Sequence, residues 1–417
     1  MTSTATLRSA ASQGGIIESS NSDQAFAVGI ALVVIVVIAF VLYRPAVQKS
    51  KVYQAAVVPL SNIMDVGFIL FAPAIVLLAG FRAPFFMLGI CLVAMATGLA
   101  MSYNIRHYEP VAGQGGPLDR LETTSEWALL GASVVNISYY TMLLIALMLL
   151  PFNSDTSGRQ PLIGAALLAI VAVIGFSGGM DWLNRQGNRT TAFNLAAVIG
   201  VVTAFLVFNV QMWLGGRWEL GDNPSLATED VRKIIGLFAI VQGFEASRYI
   251  GVRFAAERRI TTMRLAQGIS TVVFVVLILT LLVIFLPPAA EADGTAIFLA
   301  ANVVGDALPW LLLLAAIGSQ TSAIIGATSS RSDMLVSRNI PRPSTFLIIL
   351  IPAIVLVLIA DVNVAVNLAS RVFAAYFIIQ ASLAGVLAKR KQNWPALAGF
   401  VAIGIAMATV LFFGLPL

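Results

Sequence analysis

The 417 residues are 59% hydrophobic and 11% charged, against about 25% charged in a soluble domain, and mean hydropathy is +0.91. This balance excludes a large soluble core and describes a polytopic membrane protein. The formal net charge of +5 does not point to nucleic acid, because the basic residues are confined to short loops between apolar runs.

Residues 1–24 are rich in Ser, Thr, Gly and Gln without apolar periodicity, and are predicted to form a disordered extracytoplasmic tail. The run 25–43 is long enough to span a bilayer. Its positive charges, Arg44, Lys49 and Lys51, follow it, the reverse of a secretory signal peptide. Eleven more spans are predicted at 55–81, 84–103, 126–151, 161–181, 190–214, 232–256, 262–286, 300–328, 343–360, 363–388 and 394–416. With the first span entering, seventeen of the 25 Lys and Arg fall on one side and six on the other, while Arg248 and Arg371 lie within spans. That bias predicts twelve spans with both termini extracytoplasmic, in a membrane such as the bacterial inner membrane.

The longer loops are Asn104–Ser125, inside, and Gly215–Val231, outside. The second is predicted to hold a short surface helix capped by Thr228, with Glu229 and Asp230 in its first turn. Trp213, Trp218, Trp310 and Trp394 sit near span ends, as interfacial anchors do. Cys91 lies in an apolar run and His107 in a polar loop. With one of each, a disulfide within the chain is excluded, and imidazole or thiolate metal sites and intramembrane Ser–His chemistry are disfavoured.

Charge and polarity at membrane depth mark functional candidates. In the second span, Ser61, Asn62, Asp65 and Gly67 cluster near the middle, where non-helical backbone is tolerated only if it lines a cavity or is buried. The alternative is a continuous helix with Asp65 paired to a neighbour. Five spans later, LFAIVQGFEASRYIG (237–251) places Gln242, Gly243, Phe244, Glu245 and Arg248 at similar depth. Two glycine-interrupted polar helices in corresponding positions point to an inverted-repeat transporter with substrate between the breaks. An odd number of spans per repeat inverts the second, so 55–214 and 232–388 are predicted as five-helix repeats, with 25–43 and 394–416 as accessory helices.

In helix eight of that scheme, Ser319, Thr321 and Ser322 with Gln320 offer hard oxygen ligands suited to a Na⁺ between helices one and eight; helix packing through small polar residues is the alternative. In helix ten, Arg371 is expected to pair with Glu245 or Asp65, as a structural ion pair or a substrate contact. Asp181 and Asp306 lie near interfaces and carry less weight.

At these residues the chain resembles the amino acid–polyamine–organocation superfamily with the LeuT-type five-plus-five fold, over most of residues 52–416 by span order. Gln242–Glu245 is similar to the helix-six break of amino acid permeases. Glu245–Gly251 is similar to helix six of nucleobase–cation symporters. Ala315–Ser322 resembles helix eight of sodium–solute symporters, which implies a Na⁺-binding role for Ser319 and for Thr321 or Ser322. The helix-one segment departs from the small, Gly-Ser-Gly-like break of amino acid permeases, because Asp65 stands in it. MDVG is faintly similar to the acidic break of Nramp metal transporters, whose helix-six Met-Pro-His is absent here.

The resulting expectation is an all-α polytopic LeuT-type protein, a secondary active transporter working by alternating access in the lipid bilayer. Candidate substrate-binding residues are Ser61, Asn62, Asp65, Gly67, Gln242, Gly243, Phe244, Glu245, Arg248 and Arg371. Candidate coupling-ion ligands are Asp65, Ser319, Thr321 and Ser322. No cofactor is called for beyond a Na⁺ coupling ion, with H⁺ the other choice. Organic amines or amino acids rank first as cargo, nucleobase-like solutes second and inorganic ions third. An ion channel would need a continuous polar file, a sensor would need a cytoplasmic domain to signal through, and an enzyme would need a catalytic pair. The number of subunits is not legible.

Overall fold

The computed structural model describes residues 21–149, 157–220, 224–251, 253–284 and 296–417, except the side chains of residues 66, 157 and 180–190. Most of the predicted tail and the Asp181 carboxylate therefore lie outside the described residues. Among the described residues there is no strand. The helices are α1 (Asn21–Tyr43), α2 (Lys51–Ile63), α3 (Val66–Ala79), α4 (Ala83–His107), α5 (Pro117–Leu149), α6 (Gln160–Phe176) and α7 (Met180–Leu214). They continue as α8 (Thr228–Gly236), α9 (Ala256–Ile284), α10 (Ala296–Val304), α11 (Leu308–Val336), α12 (Arg342–Ile359), α13 (Val362–Arg390) and α14 (Trp394–Phe413).

Nine helical stretches among the described residues are long and apolar enough to cross a membrane. The 17-residue α6 is slightly shorter, and two predicted spans are not single helices. The span 55–81 is α2 and α3, separated at Met64–Asp65. The span 232–256 is the end of α8 followed by two 3-10 turns, Phe238–Val241 and Phe244–Ile250.

Polar faces turn inward and apolar faces outward. Phe26, Val33, Val36 and Phe40 of α1 are exposed, as are Ile351 and Ile359 of α12 and Ile405 and Phe412 of α14, which suits lipid as the outer solvent. The predicted interfacial Trp213, Trp218, Trp310 and Trp394 are all exposed. At the centre, α5 packs against α13 and α11, α11 against α7, α4 against α9 and α6 against α12. The outer helices α1 and α14 lie against α7 and α13.

Three boundaries differ from expectation. The loop 104–125 is largely helical: α4 continues to His107 and α5 begins at Pro117, so Glu122 and Ser125 are buried helix residues. The predicted span 300–328 is displaced, because the chain breaks at Gly305–Asp306 after the short α10 and α11 runs Leu308–Val336. Arg331, expected in a loop, is consequently buried. The predicted surface helix after Gly215 is α8, the first piece of the broken crossing. Its start is held by Asp230, whose carboxylate accepts from the Ala227 amide at 2.8 Å, and not by Thr228.

Candidate functional site

The first break follows from Asp65. Met64 leaves helical geometry at φ −93°, ψ 40°, and Asp65 is extended at φ −69°, ψ 164° as the N-cap of α3, a position Asp favours because its oxygen can meet the free amides of the first turn. Its side chain makes no capping hydrogen bond and stands with Gly67, Tyr139 and Tyr140 on the wall of one cavity. Gly67 is needed for this approach: a Cβ there would stand 2.5 Å from the Tyr139 hydroxyl and 2.9 Å from Asp65 Oδ1.

The second break follows from Gln242–Gly243. Gln242 is extended with ψ 177°, and Gly243 takes φ +115°, which side-chain-bearing residues rarely adopt. Glu245 then turns back, and its Oε2 accepts from the Gly243 amide at 2.8 Å. Phe244 is fully buried and stacks on Phe377 of α13, with ring centroids 5.2 Å apart.

The breaks touch. A Cβ on Gly243 would lie 2.6 Å from the Asn62 carbonyl carbon and 2.7 Å from Asn62 Cβ. Beside this contact lies a small cavity lined by Asn62, Asp65, Gly67, Tyr139, Tyr140, Ala239, Ile240 and Val366. It has room for about one water. Asn62 is its exposed member, while Asp65 is buried. Asn136 Nδ2 donates to the Tyr140 hydroxyl at 3.2 Å, so a polar wall from α5 completes the cavity.

At the other end of the Phe244–Ile250 turn lies a buried ionic cluster. Arg248 Nη2 stands 2.9 Å from Glu122 Oε2 of α5, and Arg248 Nη1 donates to Gln380 Oε1 of α13. Gln380 Nε2 donates to Ser125 Oγ at 2.7 Å, and Asn104 Nδ2 of α4 donates to Gln380 Oε1 at 2.8 Å. The Arg248 guanidinium also lies over the Tyr108 ring, 5.6 Å from its centroid. Arg259 of α9 donates to the Arg248 carbonyl at 2.7 Å and pairs with Glu109. Arg338–Glu126 and Arg106–Glu257 extend this layer outward. Five elements are tied together here, and two of them belong to the interrupted crossing and the helix after it.

The predicted residues thus separate into groups. Asn62, Asp65 and Gly67 line the cavity, and Gln242, Gly243, Phe244 and Glu245 form the break beside it. Ser61 is half-buried and donates to the Val58 carbonyl at 3.1 Å. Arg248 belongs to the ionic cluster. Arg371 does not pair with Glu245 or Asp65; it donates to the Gly414 carbonyl at 2.7 Å, far along the chain from either break. The positive charge that reaches Glu245 is that of Arg331, whose guanidinium lies over Tyr249. On α11, which packs against α3, Ser319 is buried and Ser322 half-buried. Thr321 is exposed and donates to its own helix at Ile317, so its hydroxyl faces away from the interior.

Sequence reasoning missed Tyr139, Tyr140 and Asn136. The polar run Asn136–Thr141 within an otherwise apolar span was the available signal. It also missed Glu122, which lay in the supposed loop.

An all-α membrane bundle with two crossings interrupted against each other has the architecture of a carrier-type membrane transporter. The chain belongs to the APC superfamily: the model of a family described as APC superfamily transporter matches residues 45–414. An uncharacterized protein of Aquifex aeolicus (strain VF5) is 27% identical over 396 residues, covering 91% of this chain and 96% of its own. Among solved structures, the nucleobase-cation-symport-1 family transporter MHP1, in a closed conformation with bromovinylhydantoin bound, overlaps with TM-score 0.49 at 13% identity, over 86% of this chain and 91% of that one. A Na⁺-coupled sialic acid symporter, substrate-bound and outward-open, overlaps with TM-score 0.49 at 15% identity, over 95% of this chain and 98% of that one.

Proposed function

We propose that this APC superfamily transporter is a cation-coupled secondary carrier of a small organic solute, an amine or amino acid, working by alternating access. The observation that carries the reading is the contact of Gly243 on Asn62 with a polar cavity beside it: two interrupted crossings meet at a buried site held by backbone that has left the helix. Asn62, Asp65, Gly67, Gln242, Gly243, Phe244 and Glu245 form the binding region in this reading, with Ser61 behind it. Ser319, with Ser322 and Asp65, is the candidate Na⁺ site; H⁺ carried by the two carboxylates is the other coupling choice.

Helix pairings support an inverted repeat. If α2/α3 to α7 form one repeat and α8 to α13 the other, then α5 with α13 corresponds to α11 with α7, and both pairs pack. The pairs α4–α9, α6–α12 and α5–α11 each join equivalent helices. Even the accessory helices fit, since α1 packs on α7 and α14 on α13, which are equivalent. In this reading the ionic layer lies on the side that carries seventeen of the 25 Lys and Arg, taken as the cytoplasmic side, with both termini outside the cytoplasm of a cell that holds the protein in its inner membrane. Closed, the Arg248–Glu122 cluster bars that end, and its separation is the step that opens it.

The test is gradient-driven uptake into proteoliposomes. Asp65→Asn and Glu245→Gln should each reduce uptake severely while the protein stays folded; full uptake by both variants removes these acids from the mechanism.

A further inference from the structure

We propose that residues 414–417 form a strap that fastens shut the end of the bundle opposite the Arg248–Glu122 cluster, and that this end opens only when the strap leaves its seat. The inference rests on the carrier reading, which requires each end to open in turn. The strap lies where such an opening has to part the bundle. α8, the first piece of the interrupted crossing, packs against α3, α13 and α14. Residues 414–417 follow α14 and lie over a crevice lined by Phe71 of α3, Leu237 just after α8, and Asn363, Val366 and Asn367 of α13. Val366 also lines the polar cavity beside the breaks, so strap and cavity share a wall at that residue. Asn367 stands thirteen residues before Gln380 on α13, about 20 Å along the helix, which puts the strap and the ionic cluster at opposite ends.

The attachments of the strap cross the line of parting. The Leu415 amide donates to the Arg232 carbonyl of α8 at 3.0 Å, and Arg232 Nε donates to the Phe413 carbonyl at 3.0 Å. On the other side, Arg371 of α13 donates to the Gly414 carbonyl at 2.7 Å. The seated strap thus ties α8 to α13.

Its seat suits reversible docking. Gly414 is set against Gly236, with 3.1 Å from the Gly236 Cα to the place a Cβ on Gly414 would occupy, so backbone rests on backbone and no side chains interlock there. Beneath the strap, Asn367 is 6% exposed and its Nδ2 has no hydrogen-bond partner, and Arg371 Nε has none either. A buried donor without an acceptor is unfavourable, and water that reaches these two groups when the strap lifts makes good that loss. A segment placed for stability alone would cover apolar or satisfied groups.

The experiment uses the protein with Cys91→Ala in lipid nanodiscs and measures how fast a water-soluble maleimide modifies Ile240→Cys, a position that lines the polar cavity but not the crevice under the strap. Ser247→Cys, fully buried one residue before Arg248, is the control for the other end. Removing residues 414–417, or pushing them off with Gly236→Ala, should speed labelling of Ile240→Cys by about 10-fold or more and leave Ser247→Cys unchanged. Unchanged labelling of Ile240→Cys in both variants overturns the inference, because uncovering the crevice has then not opened the cavity. Equal acceleration at both positions marks general loosening and overturns it as well. Joining Pro416→Cys to Asn363→Cys with a reductively cleavable linker should stop counterflow of whichever of alanine, butylamine and uracil the wild type carries in proteoliposomes, and cutting the link should restore it. Counterflow at the wild-type rate by the joined protein overturns the inference too. Where the wild type carries none of the three, that failure falls on the carrier reading, and the labelling still decides the strap. The three variants disturb the segment in different ways, so one that does not fold leaves the others to decide.

Discussion

Gly243 rests on Asn62 so closely that the two interrupted crossings share one point of backbone contact, 2.6 Å from the Asn62 carbonyl carbon to the place a Cβ on Gly243 would occupy. Gly243 also holds φ +115°. Steric space and backbone conformation therefore demand glycine independently. Gly243→Ala should push the Phe244–Ile250 turn off α2, lower thermal stability and abolish uptake. Loss of about 1–3 kcal/mol is expected from the backbone alone, with the collision added. A variant that keeps wild-type melting and uptake would remove the contact from the centre of the mechanism.

The Arg248–Glu122 pair is almost fully buried, its side chains 3% and 11% exposed. Removing one partner of such a pair typically destabilises by about 3–5 kcal/mol, whereas removing both is far milder. Glu122→Gln and Arg248→Gln should each destabilise the protein more than the double variant does. In the carrier reading, Glu122→Gln should also increase access of water-soluble thiol reagents to a cysteine placed at Ser247, which is fully buried. Additive effects on stability, with unchanged labelling, would leave the cluster without a role in opening that end of the site.

Much of the site was readable because membrane depth makes polarity conspicuous. Asp65 with Gly67, and Gln242 with Gly243, stood out as breaks for that reason, and α3 and the Phe244–Ile250 turn begin beside them. Glu122 was not readable in the same way: it precedes the apolar part of α5 and looked like a solvated loop residue until α4 and α5 proved long enough to carry Asn104 and Glu122 into the packed bundle. Arg371 failed for a different reason. Hydropathy gives depth along an axis but not the direction a side chain takes, and the Gly414 carbonyl, which lies outside the last helix, accepts its hydrogen bond. The displacement of α11 came from counting apolar length across Gly305–Asp306, where the chain turns.

Arg371 provides a clean contrast with Arg248. Because it contacts the Gly414 carbonyl and neither break, Arg371→Gln should leave solute affinity within about twofold of wild type, a difference under 0.5 kcal/mol. Arg248→Gln should instead impair uptake through the ionic cluster. A large affinity loss in Arg371→Gln, at unchanged stability, would return this residue to the binding site.

Sodium coupling has its own readout. Ser319 is buried on α11, which packs against α3, so a Na⁺ there would bind the folded protein and raise its melting temperature by mass action. Na⁺ should stabilise where K⁺ does not, and Ser319→Ala should reduce that response while Thr321→Ala, altering an exposed hydroxyl bonded to Ile317, leaves it intact. Equal stabilisation by both ions would assign coupling to H⁺.

The last four residues make a further test of how the broken crossing is held. Gly236 ends α8, directly under the Leu415 carbonyl, and an added Cβ would collide with that oxygen. The Leu415 amide donates to the Arg232 carbonyl at 3.0 Å, and Arg232 Nε donates to the Phe413 carbonyl at 3.0 Å. The chain end is thus clamped onto α8 next to α13. Gly236→Ala should destabilise the protein, since neither backbone can yield without losing these hydrogen bonds. Removing residues 414–417 should also destabilise it, by loss of the Leu415–Arg232 and Arg371–Gly414 hydrogen bonds. Combined, the two changes should cost less than their sum, because the collision vanishes with its partner. Thermal melting of the two single variants and the combination decides this: strict additivity would mean that Gly236 matters for α8 itself and not for the segment lying on it.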